Sequence, residues 1–146
     1  MRIAITGGPR TGKTRLANEL WLDGSISAGV IHYPDERSPK IRHTDDLIAQ
    51  CQHLGKEAWS EASRIASMWL DEPGPWIIEG VAVSRALRKW RDNHPGEPPP
   101  VDRVICCMTP FEERKAGQIA MARGIQTVHE EIEPWLREHG ITTEWR

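Results

Sequence analysis

The chain has 146 residues, which suits one domain spanning 1–146 with a real core and is too short for two. Apolar residues make up 38% and charged residues 27% at a formal charge of −2, an ordinary soluble globular profile that excludes a binder that is basic overall. Three cysteines, two of them adjacent at Cys106 and Cys107, give neither metal spacing nor an even disulfide framework, and the six histidines show no ligand spacing. A cytoplasmic, reducing compartment is therefore expected. The run Met1–Thr6 is too short for a signal peptide, and no stretch is apolar enough to span a membrane.

In chain order, Arg2–Thr6 reads as a short apolar strand, followed by a glycine-rich turn and a helix over Lys13–Leu22. Val30–Tyr33 reads as a second strand, and Pro34 opens a polar turn after it. Thr44 is placed to cap a short helix through Cys51, with Asp45 and Asp46 in its first turn. Glu57–Asp71 puts Trp59, Ala62, Ala66, Trp69 and Leu70 on one helical stripe, where tryptophan is expected to serve as core. Trp76–Glu79 reads as a strand, Ser84–Asp92 as a helix, and the Pro-rich stretch His94–Pro100 as a surface loop. Arg103–Met108 follows as a strand, then helices over Glu112–Arg123 and Thr127–His139, the latter closed by Gly140. Ile141–Trp145 completes five strands and six helices. That alternation implies a mostly parallel sheet covered on both faces, with ligands at the carboxyl ends of its strands.

The strongest chemical signal is Gly7-Gly8-Pro9-Arg10-Thr11-Gly12-Lys13-Thr14, which satisfies G-x-x-x-x-G-K-[ST] in full. A chance match in a chain of this size has odds of roughly one in two hundred. Glycines let such a loop curl its N–H groups toward phosphate oxygens, and the next helix adds its positive end. Lys13 would reach the β- and γ-phosphates of ATP or GTP, and the Thr14 hydroxyl would coordinate magnesium. Glu79, ending an apolar strand, is the candidate for the magnesium shell. Asp35 in Tyr33–Arg37 is the candidate base for an attacking hydroxyl, with Glu36 as the spare, although a polar turn accounts for the same residues.

Cations supply the rest. Arg85 stands six residues past Glu79, within reach of an anionic acceptor. Arg88 and Lys89 share its helix face and could track DNA, with a solvated charged face as the plainer reading. Arg123, before Gly124, is the candidate for screening charge from a closing segment, while Arg114 reads as a surface residue.

These residues together resemble the P-loop nucleoside and nucleotide kinase superfamily, sharply at Gly7–Thr14, fairly at Ile77–Arg85 and loosely elsewhere. The resemblance implies a three-layer α/β P-loop NTPase fold, strand order 2-3-1-4-5, and an ATP- and Mg2+-dependent phosphotransferase acting on a hydroxyl acceptor. The chain departs from that pattern in offering Gln118 and only Arg123 where a lid carries paired arginines, and in reducing the acceptor insert to about Arg37–Gly55. Its compact size and tryptophan content look like small phage-encoded kinases, including those that act on 5-hydroxymethyluracil in DNA. A small nucleoside, nucleotide or metabolite kinase is the alternative within the class. A small GTPase is disfavoured because no N-K-x-D run exists, and Asp71–Gly74 precedes its strand instead of following it. A nucleotide-binding module without phosphotransfer is the reading from another class.

Overall fold

The computed structural model describes residues 1–22 and 40–146. Five strands form one parallel sheet: β1 (Arg2–Gly7), β2 (Lys40–His43), β3 (Trp76–Glu79), β4 (Arg103–Cys107) and β5 (Thr143–Trp145), in the order β2-β3-β1-β4-β5. The expected order 2-3-1-4-5 and all-parallel sheet are therefore present. The expected second strand, Val30–Tyr33, and the candidates Asp35 and Glu36 lie outside the described residues. Within them, the strand beside β3 is Lys40–His43, in the stretch expected to be an acceptor insert.

Side chains alternate across the sheet, as a pleated strand requires. Ile3, Ile5, Ile77 and Ile105 pack with Ala17 and Leu20 of α1 (Lys13–Leu22) on one face. Ala4, Ile78 and Val104 point to the other face. There they meet α3 (Ala58–Trp69), α4 (Val83–Asn93) and α5 (Ala116–Glu138). Each fully buried isoleucine contributes about 2 kcal/mol of burial, so this double coverage is the main source of cohesion. On α3 the buried stripe is Ala58, Ala62 and Ala66, small enough to bring α3 close to α4, and buried Leu70 follows at its C-cap. Trp59 and Trp69 flank that stripe half-buried, each beneath an arginine, Arg85 and Arg42 respectively. Only part of the tryptophan complement is core: Trp76 and Trp90 are buried, whereas Trp145 is 45% exposed.

Three local expectations are corrected. α2 (Thr44–Gln50) has His43 at its N-cap without a side-chain cap, because the Thr44 hydroxyl is used elsewhere. A 3-10 segment, Gln52–Glu57, then leads into α3. The two helices expected across residues 112–139 are one, beginning only at Ala116 and running through Gly124 and Pro134. Glycine in a helix costs about 1 kcal/mol relative to alanine. The stripe Ala122, Ile125, Val128, Ile132 and Leu136 buries enough apolar surface to offset it. Gly140 ends the helix as expected, at φ +78°, where Ile141 N–H reaches the Leu136 carbonyl. Among the described residues no helix is long and apolar enough to cross a membrane.

Candidate functional site

Strand β1 delivers the glycine-rich loop to the carboxyl edge of the sheet. Gly7 adopts φ +137°, and a Cβ there would stand 1.9 Å from the Cys107 carbonyl oxygen, so only glycine lets the loop leave β1 beside β4. Gly8 N–H then donates to that same carbonyl at 3.1 Å. Arg10 is held at φ +59°, unusual for a non-glycine residue. Its carbonyl accepts from Phe111 N–H at 2.9 Å and its guanidinium pairs with Glu112 at 2.7 Å, which ties the loop to the β4–α5 connection.

Lys13 opens α1 with a buried ammonium that donates to the Gly8 carbonyl at 2.7 Å. Burial pushes its pKa down, opposed by the charges of Asp45 and Glu79. The Lys13 ammonium thus lies across the loop, and a glycine-rich turn entering a helix N-terminus favours phosphate. A cleft of about 820 Å³ opens over it, lined by Thr11, Lys13, Thr14, Asp45, Phe111 and Arg146 among others.

Thr14 and Glu79 meet as expected: the Thr14 hydroxyl donates to Glu79 Oε1 at 3.0 Å. The β2–β3 register pairs His43 with Glu79, and His43 Nδ1–H donates to the same oxygen. Glu79 is 2% exposed, and its Oε2 is buried without a hydrogen-bond partner among the described residues. An unpaired buried carboxylate oxygen is costly, and a cation beside Thr14 relieves that cost. The donor set therefore fits magnesium, which is commonly held by one or two carboxylates together with substrate phosphates.

Asp45 is a carboxylate that sequence reasoning did not assign to the site. Its Oδ1 accepts Val81 N–H at 3.0 Å, while Thr44 Oγ1 accepts Ala82 N–H at 3.3 Å. Both bonds clamp the start of α2 to the segment entering α4. Gly80, at φ +136°, makes this approach possible, because a Cβ there would lie 2.1 Å from Thr44 Oγ1. Arg114, expected as a surface residue, is half-buried: its Nε donates to the Pro9 carbonyl at 2.9 Å and its Nη2 to the Met108 carbonyl at 3.2 Å. The Asp45–Val81 and Arg114–Pro9 contacts join residues distant in sequence, which no local pattern announces.

Arg85 does not line the loop cleft. It covers the Trp59 ring at 5.0 Å and borders a separate cavity of about 370 Å³ with Lys56, Gly117, Met121 and Gly124. Its buried Nε lacks a hydrogen-bond partner among the described residues, and burial, then Arg88, lowers its pKa. Lys56 and Arg85 are the charged residues of its lining, with no carboxylate among the described ones. Arg88 pairs with Glu131 at 3.0 Å and Lys89 donates to Ser60 at 3.3 Å, which weakens the picture of a free basic track for DNA. Arg123 sits exposed on continuous α5 and borders neither of these two cavities. No protein-family model matches the chain, and comparison with curated proteins finds no match.

Proposed function

We propose that the chain is a P-loop kinase with a three-layer P-loop NTPase fold, transferring the γ-phosphoryl group of ATP or GTP to a hydroxyl acceptor. The observation that carries this reading is the buried Lys13 ammonium lying across the Gly7–Thr14 loop, with Thr14 bonded to Glu79 at the neighbouring strand end. The strand order β2-β3-β1-β4-β5 supports it, because it sets the loop and the acid on adjacent strands.

In this mechanism the loop N–H groups and Lys13 hold the β- and γ-phosphates. Thr14 and Glu79 would hold magnesium, which supplies charge neutralisation on those phosphates when bound. Asp35 lies outside the described residues; among the described carboxylates, Asp45 is the one assigned the base role. One of its oxygens is fixed by Val81 N–H, and its carboxylate borders the cleft to accept the acceptor's proton. The deprotonated oxygen forms the new bond to the γ-phosphorus as the bond to the β–γ bridging oxygen breaks, and the nucleoside diphosphate leaves. Arg114, bonded to the loop carbonyl of Pro9 and near enough for its charge to act on Lys13, is the cation assigned to the transferring group in place of Arg123. The cavity at Arg85 and Lys56 receives an anionic part of the acceptor.

The test is transfer from γ-labelled ATP to nucleosides, nucleoside monophosphates, 5′-hydroxyl DNA and DNA containing 5-hydroxymethyluracil. Label on one acceptor class, about 10²-fold slower with Asp45→Asn, is the expected result. The asparagine keeps an acceptor for Val81 N–H. Nucleotide binding without label on any acceptor would favour a regulatory module over a kinase.

A further inference from the structure

Four buried polar side chains take no part in the chemistry above. Thr6, Ser84 and His129 are fully buried and Thr143 nearly so. Thr6 Oγ1 and Ser84 Oγ share a hydrogen bond of 2.7 Å, Ser84 Oγ meets His129 Nδ1 at 3.1 Å, and His129 Nε2 meets Thr143 Oγ1 at 3.0 Å. The four come from β1, α4, α5 and β5, so one unbroken chain of bonds crosses the domain beneath the site. Trp145 closes it with a ring edge-on to His129 at 5.3 Å between centroids.

The places of its members matter. Thr6 directly precedes Gly7, where the loop leaves β1, and Ser84 directly precedes Arg85. Apolar side chains of similar volume would fill this space without burying four polar groups. Hydrogen bonds differ from apolar packing in having narrow distance and angle limits, so they fix one register where packing tolerates sliding. A neutral imidazole carries one donor and one acceptor, which satisfies both hydroxyl neighbours without a buried charge. Burial keeps His129 in that neutral form, its pKa pushed down to about 4.

We infer that His129, with Ser84 and Thr143, is a positioning residue that sets the first turn of α4 against β1 and so fixes Arg85 relative to the glycine-rich loop. The inference rests on the reading of Arg85 as an acceptor-binding residue. The clamp of Thr44 and Asp45 on Ala82 and Val81 restrains the same turn from its other side.

Thr143→Val tests it, because the change is nearly isosteric and lies at the end of the chain remote from α4. Two readouts apply: the acceptor and nucleotide constants, and the NMR resonance of Arg85 Nε–H, which senses the Trp59 ring current. The variant should leave nucleotide affinity within about twofold, raise the acceptor KM about tenfold, and shift the Arg85 resonance. Thr143→Ser should restore both, and Ser84→Ala should repeat the defect should Thr143→Val fail to fold. Folded Thr143→Val and Ser84→Ala with unchanged acceptor KM and Arg85 resonance would reduce the chain to core packing. Should wild-type protein phosphorylate no acceptor, the kinase reading fails on that arm while the Arg85 resonance still decides the positioning claim.

Discussion

His129 makes the stability of this domain depend on pH in a calculable way. Its imidazole is fully buried between Ser84 and Thr143, and burial, only partly offset by Glu133 and Glu130, lowers the pKa from 6.5 to about 4. The unfolded chain has no such burial and protonates near the ordinary value. Between the two, the unfolded state binds more protons than the folded state, so stability falls as pH falls. The contribution is fully present above about pH 6.5 and is lost progressively on the way down to about pH 4. The separation corresponds to about 3 kcal/mol, a substantial part of the 5–15 kcal/mol typical of a whole domain. Urea unfolding from about pH 7 to about pH 4 measures it, with His129→Gln as the non-titrating reference. The carboxylates titrate in both proteins, so the difference between their curves isolates His129. Wild type should lose about 3 kcal/mol more than the variant over this range. Parallel curves would refute the account of a neutral, desolvated imidazole.

The remaining predictions concern the site. Gly80→Ala should cost about 2 kcal/mol or more, seen as a lowered Tm, because a Cβ at φ +136° collides with Thr44 Oγ1 and breaks the clamp on Val81 and Ala82. An unchanged Tm would show that α2 can move aside freely. Glu79→Gln should leave the fold intact, since the amide oxygen still accepts from Thr14, while raising the magnesium needed for half-maximal nucleotide binding about tenfold or more. A magnesium titration that overlays wild type would remove Glu79 from the metal shell.

How much of this was legible in the sequence follows from which interactions are local. The loop and α1 were readable because the glycines, Lys13 and Thr14 act within eight residues, and β3 because Trp76–Glu79 is a continuous apolar run ending in an acid. Strand β2 was not readable: Lys-Ile-Arg-His is a polar edge segment, and pairing with β3 instead of burial defines it. That loss also hid His43 and Asp45, which reach the site only through the β2–β3 register and the turn at Gly80. Gly124 looked like a break, but helix propensity is a weak signal beside the buried stripe of α5. The surroundings of Arg85 were not readable, because its position over Trp59 joins α4 to α3, a contact no local pattern announces. The same holds for Arg114, whose partners Pro9 and Met108 are backbone carbonyls.

The central claim is that the Gly7–Thr14 loop binds a nucleoside triphosphate with magnesium. Calorimetric titration of ATP and GTP into wild type and Lys13→Ala, with and without magnesium, tests it most directly. The account predicts saturable, magnesium-dependent binding of at least one nucleotide, weakened about tenfold or more by Lys13→Ala at an unchanged Tm. No binding to the wild-type protein, or equal affinity in the variant, would contradict it.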